Sequence, residues 1–341
     1  MSPLIAAVPA FVGALVLTGL ARRIAVARSV LDVPNERSSH TSPIPRGGGL
    51  AIVTVVLSGV AILWLTGVLG WTESWAILGG GTLVAVVGWL DDRRSLSAFT
   101  RLAAHVAAAA WALWWLGGMP FLTTGREVHS LGMFGTALAG FAIVWAINVT
   151  NFMDGIDGLA AGEVVTVTLT AAALLAEVHP SLAAAAALTG GAALGFLPWN
   201  WRPARIFMGD TCSGFLGYVL AVLAVASERA GALPALVWVV LYAVFATDAT
   251  VTLLRRAWRG ERWYSAHRSH AYQRAVQAGW SHARVTATVL FLNVGLGVLA
   301  WRAAARPELL GQALAVAAGV TGLAYWLVER QRPMAPRAPT L

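Results

Sequence analysis

The chain has 341 residues, of which 58% are hydrophobic and 12% charged, with a formal net charge of +8. An ordinary soluble domain carries about 25% charged residues, so the composition excludes that class and points to a membrane protein. All 24 basic side chains are arginine, and the single cysteine, Cys212, has no second thiol in the chain with which to form a disulfide.

Apolar blocks near residues 3 to 21, 48 to 69, 75 to 90, 98 to 117, 133 to 149, 159 to 177, 181 to 198, 212 to 228, 232 to 254, 283 to 302 and 308 to 328 predict helices. A helix crosses the hydrocarbon core with about 20 apolar residues. The expected architecture is therefore an all-α integral membrane protein, a single polytopic bundle of about eleven transmembrane helices over residues 1–341. The first block has no basic residue before it and no convincing cleavage site, and Arg22 and Arg23 follow it, so it reads as a retained span rather than a secretory signal.

Arginines crowd the loops after the first, third, seventh and ninth blocks, whereas the alternate loops hold few, among them Arg126, Arg229, Arg302 and Arg306. Basic residues in short loops stay in the cytoplasm. This asymmetry predicts an outer amino terminus and an inner carboxyl terminus. On that map Asp32, Asp91, Asp92, Asp154, Asp157 and Asp210 all fall in inner loops or at inner helix ends, and Asp248 lies near the inner end of the ninth block. Carboxylates gathered on one side predict a polar site assembled from several loops, although each aspartate taken singly is also an ordinary helix cap.

The first inner loop runs from Val33 through Asn35, Arg37 and His40 to Arg46-Gly47-Gly48-Gly49. Glycines let backbone N–H groups approach an anion closely and the arginines supply charge, so the loop reads as an anion cradle or as a plain loop-to-helix junction. The third block ends on Asp91-Asp92. Adjacent acids repel unless a cation, a shared proton or an arginine intervenes. The most informative segment is Asn148-Val-Thr-Asn151-Phe-Met-Asp154-Gly-Ile-Asp157-Gly158, which offers oxygen ligands on a tight turn beside the membrane. Such ligands suit Mg2+, or Mn2+ in its place, held by one or two protein groups together with substrate phosphates. Asp210, in Arg205-Ile-Phe207-Met-Gly209-Asp210-Thr211, is a candidate second metal ligand, and Phe207 can stack on a nucleobase or anchor the chain at the membrane surface.

Farther on, Asp248 is an acid inside an apolar block, where a charge is costly and faces the bundle or a polar cavity. The longest inner loop carries His267-Arg268-Ser-His270-Ala-Tyr272-Gln273. Zinc needs three or four nitrogen or sulfur ligands and no further cluster of them is available, so this mixture reads as a clamp for a diphosphate or a sugar. His105, His129, His179 and His282 lack such company and read as structural or interfacial.

Taken in order, Pro34 to Gly49, Asp91-Asp92, Asn148 to Gly158, Phe207 to Ser213, Asp248 with Arg255-Arg256, and His267 to Gln273 resemble the polyprenyl-phosphate N-acetylhexosamine 1-phosphate transferases. The resemblance spans nearly the whole chain, and its first and last motifs are similar to the branch that begins O-antigen or other surface-polysaccharide synthesis. It implies transfer of a sugar 1-phosphate from a UDP-N-acetylhexosamine to undecaprenyl phosphate at the cytoplasmic face of a bacterial inner membrane, with release of UMP. It further implies Asn151 and Asp210 as Mg2+ ligands and places Asn148, Asp154 and Asp157 in the nucleotide site. His40, Arg46, His267, Arg268 and His270 become diphosphate and sugar contacts, and Asp91 or Asp92 the group that readies the lipid phosphate. The lipid bilayer and the two substrates are the partners implied; a homodimer is left open and no nucleic acid is expected. Cys212 stands where the pattern has glycine, which predicts a strained turn if that position needs a positive φ. A secondary transporter or lipid flippase is the competing class, but it would carry its acids at mid-membrane and show repeated halves.

Overall fold

The computed structural model describes residues 3–32, 43–261 and 267–334. In chain order the helices are α1 (Leu4–Ala27), α2 (Gly49–Leu65), α3 (Trp71–Arg94), α4 (Ala98–Leu116), α5 (Gly132–Phe152), α6 (Leu159–Leu175) and α7 (Pro180–Asn200). They continue with α8 (Asp210–Arg229), α9 (Ala235–Leu241), α10 (Ala243–Trp258), α11 (Ala271–Gln277), α12 (His282–Ala305) and α13 (Leu310–Gln331). Two antiparallel ribbons complete the fold: β1 (Leu31–Asp32) pairs with β2 (Ile44–Pro45), and β3 (Phe121–Thr124) with β4 (Glu127–Ser130).

Every apolar block of the sequence is helical, and the chain is an all-α, multi-span membrane protein. Among the described residues seven helices are long and apolar enough to cross a membrane, and eight if a bent pair counts as one span. The bent pair is the ninth block, expected as one helix from 232 to 254; it breaks between α9 and α10 with an 80° bend. The α10 segment has an uninterrupted polar stripe, Asp248, Thr252 and Arg256, all buried. Residues four apart share one helix face, so the stripe turns α10 toward the polar end of the bundle instead of through its apolar middle.

The core lies around α7 and α8, whose apolar windows are 78% and 83% buried, while α1 and α13 are peripheral at 17% and 22%. Without a hydrophobic drive between helices in lipid, close backbone approach at small residues supplies the packing. A Cβ on Gly191 or Gly195 of α7 would lie 2.3 or 2.2 Å from a backbone oxygen of α1, and one on Gly217 of α8 would lie 2.2 Å from the Ala146 oxygen of α5. Gly88 lets α3 cross the start of α8, where a Cβ would stand 2.3 Å from the Asp210 oxygen. At the opposite end of α8, buried Glu228 accepts hydrogen bonds from the Thr123 N–H (2.8 Å), the Thr123 hydroxyl (2.7 Å) and the Ala235 N–H (2.7 Å), fastening the β3–β4 ribbon and the start of α9.

The crossing at Gly88 has a measurable consequence. Gly88→Ala forces α3 away from the start of α8 and is expected to lower stability by about 1–3 kcal/mol with a marked loss of turnover. Gly311→Ala, on α13 with nothing near its Cβ position, is the control and leaves both unchanged. Thermal melting and activity of the purified variants check the pair, and a Gly88→Ala protein as stable and active as the parent would refute the packing argument.

Candidate active site

The polar end of the bundle is organised by Asp92, in the last turn of α3. Its carboxylate accepts from the Asp210 N–H (2.9 Å), the Thr211 N–H (3.0 Å) and the Thr211 hydroxyl (2.7 Å), and it is ion-paired with Arg46. The first N–H groups of a helix have no partner within the helix, so Asp92 caps α8 from a residue more than a hundred positions away in sequence. Gly209, at φ +81°, makes the turn that brings these amides onto it, and a Cβ there would lie 2.9 Å from Asp92 Oδ2.

Arg46 reaches Asp92 because the first loop runs beside the segment that precedes α8. The Phe207 N–H donates to the Pro45 oxygen (2.8 Å), the Gly48 N–H to the Phe207 oxygen (2.9 Å) and the Gly49 N–H to the Met208 oxygen (3.1 Å). Of the two readings of the glycine triplet, these contacts favour the loop-to-helix junction: the amides of Gly48 and Gly49 are already engaged. Here the glycines serve close packing, since a Cβ on Gly49 would stand 2.2 Å from that of Cys212. Phe207 is half-buried in this crossing and forms a parallel bridge with Arg46. Burial works against the Arg46 charge, but Asp92, Asp210 and Asp32 outweigh it and hold its pKa above the ordinary value. The turn expected to be strained at Cys212 is regular: Cys212 sits in the first turn of α8, and the positive φ belongs to Gly209.

Asn151, at the end of α5, donates from Nδ2 to Asp210 Oδ1 and to Ser213 Oγ, each at 3.0 Å. Asp154 follows in the loop between α5 and α6. Burial, then the Asp210 and Asp92 carboxylates, push its pKa well above the usual carboxylate range, with Arg46 acting the other way. Asp92, Asp154 and Asp210 therefore crowd one guanidinium, and their mutual repulsion is relieved by a retained proton or by a divalent cation. Among the described residues no three His, Cys, Asp or Glu side chains form a ready cage. The donor set is of the kind that suits Mg2+, which binds through one or two carboxylates and completes its shell with water and phosphate oxygens; Asp210, with Asn151 at 3.0 Å from it, would hold such an ion.

A cavity of about 440 Å3 opens beside these groups. Its polar end is formed by Asp91, Arg101, His105, Asn148, Asn151 and Asp210; Val84, Leu102, Phe141, Val144 and Trp145 of α3, α4 and α5 supply much of the rest. Asp91 accepts from Arg101 Nη1 (2.7 Å) and from the Leu96 N–H (2.6 Å), so α3 and α4 are locked at the cavity mouth. Asn148 Nδ2 donates to the Val144 oxygen (2.7 Å) and lies 3.4 Å from His105 Nδ1. Arg101 is not among the candidates that the sequence motifs offer, and His105, expected to be structural or interfacial, lines the cavity. Their four-residue spacing, which places both on one face of α4, was the available signal.

The other candidates lie elsewhere. Asp157 turns into the protein: it accepts from the Ala204 N–H (3.2 Å) and faces His282 Nδ1 (3.2 Å) and Arg202 (3.9 Å). Although burial opposes ionisation, His282, that amide and Arg202 hold its pKa below the ordinary carboxylate value. His267, Arg268 and His270 precede α11, across Phe152 from the cavity, and none of the three lines it. The His270 ring lies 6.2 Å from Phe152 and 4.8 Å from His267, and the Tyr272 hydroxyl donates to the Phe152 oxygen (3.0 Å). From below, Asp248 accepts from the Ala271 (2.7 Å) and Tyr272 (3.0 Å) N–H groups. Burial, then the neighbouring His270 and Arg256, lower the His267 pKa to about 3. These surroundings favour the neutral imidazole, which serves as a hydrogen-bonding group. His40 lies outside the described residues.

Residues 74–228 match the family described as glycosyl transferase family 4. The probable undecaprenyl-phosphate N-acetylglucosaminyl 1-phosphate transferase of Bacillus subtilis (strain 168) is 31% identical over 286 residues, covering 82% of this chain and 78% of that protein. The decaprenyl-phosphate N-acetylglucosaminephosphotransferase of Mycobacterium leprae (strain TN) is 30% identical over 350 residues, with 90% and 85% covered. The phospho-N-acetylmuramoyl-pentapeptide-transferase of Picosynechococcus sp. is 28% identical over 329 residues, with 87% and 85% covered.

Asp157 gives a test of its own. A carboxylate whose folded pKa is depressed stabilises the fold above its unfolded pKa, and that contribution disappears as pH falls through the folded value. Asp157→Asn should cost about 1–3 kcal/mol at pH 7, with the gap from the parent narrowing in acid. Melting curves at both pH values decide it, and coincident curves at pH 7 would show the carboxylate to be idle.

Proposed function

From the premise that this chain belongs to glycosyl transferase family 4, we propose that it transfers N-acetylhexosamine 1-phosphate from a UDP-sugar to a polyprenyl phosphate, releasing UMP. The observation that carries the reading is the cavity between α3, α4 and α5: largely apolar side chains lead to a cluster of Asp91, Arg101, Asn151 and Asp210. An isoprenoid chain fits the first part and its phosphate the second. Ligand sites combine an apolar lining with a few polar groups in this way.

In the proposed reaction an oxygen of the polyprenyl phosphate bonds to the β-phosphorus of the UDP-sugar. The bond from that phosphorus to the oxygen bridging it to the α-phosphate breaks, and UMP departs with the electron pair. The acceptor oxygen is already ionised near neutral pH, so positioning and charge neutralisation matter more than proton removal. Asp91 keeps Arg101 at the cavity mouth, where its guanidinium meets the acceptor phosphate. Every Asp92 oxygen is engaged by α8 or Arg46, so its part is to hold Asp210 in place. Mg2+ bound at Asp210, Asn151 and Asp154 would neutralise the diphosphate oxygens. The UDP-sugar comes from the opposite side, where Arg268, His267 and His270 contact its diphosphate or sugar. O-antigen or other surface-polysaccharide synthesis, UDP-N-acetylglucosamine or a 6-deoxy relative as donor, and an inner-membrane site open to the cytoplasm complete the proposal, the last supported by the arginine asymmetry.

Purified protein incubated with UDP-[14C]N-acetylglucosamine and undecaprenyl phosphate should place label in the lipid fraction and release one UMP per sugar. Release of UDP would mean transfer of the sugar without its phosphate, and label left wholly in water would exclude the reaction with this donor. Asp210→Ala should lower turnover by at least about 100-fold while the protein still inserts and purifies; near-normal turnover would remove Asp210 from the reaction centre.

A further inference from the structure

Arg274 of α11 is a guanidinium 2% exposed, placed where α13 meets the His267–His270 segment. Its Nε donates to the Ser269 oxygen (3.0 Å), inside that segment, and its Nη1 donates to the Arg332 oxygen (2.9 Å) and to Glu329 of α13. Glu329 also takes a two-point contact from Arg255 of α10 (2.6 and 2.9 Å) and accepts the Met334 N–H (3.2 Å). The Tyr325 ring lies 5.0 Å from the Arg274 guanidinium and 5.9 Å from that of Arg255. One carboxylate on α13 thus joins two guanidiniums that would otherwise repel, and one of these holds the backbone between His267 and His270. A guanidinium fork bound in this way fixes orientation as well as charge.

We propose that Glu329 is a positioning residue for the donor side of the site: through Arg274 and Ser269 it sets where His267 and His270 stand, so that α13, outside the 74–228 family match, tunes affinity for the UDP-sugar. The inference rests on the reading of His267–His270 as the donor side. Asp248 holds the start of α11 from α10; the Glu329–Arg274 link holds the preceding carbonyl from the other side. Loss of the link leaves the first anchor in place, so the segment shifts without unfolding.

The experiment compares Glu329→Gln, Glu329→Asp and Arg274→Lys in the full-length protein, with the Michaelis constant measured separately for UDP-N-acetylglucosamine and undecaprenyl phosphate. Glu329→Gln and Arg274→Lys should raise the donor constant about 10-fold and leave the acceptor constant within about twofold, and Glu329→Asp should fall between them and the parent. Hydrogen exchange should speed up over residues 267–277 and stay unchanged in α5 and α8. A donor constant that does not move, or donor and acceptor constants that rise together, would overturn the proposal. If Glu329→Gln fails to fold, Arg274→Lys carries the test, because it retains the charge pair with Glu329 and loses the Nε contact to Ser269. His267→Ala and His270→Ala separate the two readings: a raised donor constant in these with none in the Glu329 and Arg274 variants sinks the positioning role alone, whereas unchanged constants in the histidine variants sink the donor-side reading and this inference with it.

Discussion

Two backbone N–H groups at the start of α8, those of Asp210 and Thr211, end on one carboxylate carried by the last turn of α3. The same carboxylate binds the guanidinium of Arg46, which arrives from the loop before α2. A buried carboxylate is stable only if paired and hydrogen-bonded, and Asp92 meets that condition with partners from two other parts of the chain. Remove it and α8 loses its cap, Arg46 its partner and Asp210 the constraint that points it toward Asn151. The glycine contacts along α3, α5, α7 and α8 bring backbones close enough for this to happen.

Around that anchor the site divides. One part is the cavity between α3, α4 and α5, which suits a lipid chain and its phosphate. The His267–His270 segment, the proposed donor side, is pressed against the end of α5 by Tyr272 and Asp248. Between them lie Asn151, Asp154 and Asp210, where neighbouring carboxylates raise one another's affinity for a positive charge. In the proposed reaction two phosphorylated substrates meet there, and their mutual repulsion must be offset before their oxygens can come within bonding distance.

Much of this was legible in the sequence. Apolar blocks this long exceed a barrel strand and fit a spanning helix, and Asp91, Asp92, Asn151, Asp154 and Asp210 come together from loops that the arginine pattern groups on one side. The break at Tyr242 was hidden, since neither proline nor glycine interrupts the segment from 235 to 258 and the cause is the polar face of α10. Arg101 escaped notice because its partner, Asp91, lies ten residues earlier across a helix boundary. The glycine triplet is open to two readings in sequence, an anion cradle or a loop-to-helix junction, because glycine serves phosphate contact and close packing equally well, and only the partners of Gly48 and Gly49 distinguish them. Asp157 looked the equal of Asp154 in the motif, yet the turn sends one toward Asp210 and the other toward His282.

A double-mutant cycle between Arg46 and Asp92 tests the central claim most directly, because it asks whether the first loop and the end of α3 act on the reaction as one unit. With kcat/KM measured for the parent, Arg46→Met, Asp92→Asn and the double variant, residues in direct contact should show a coupling of about 1–3 kcal/mol, the double variant being little worse than the poorer single one. Losses that simply add, to within about 0.5 kcal/mol, would mean that the two groups act independently and that Asp92 is not the anchor of the site.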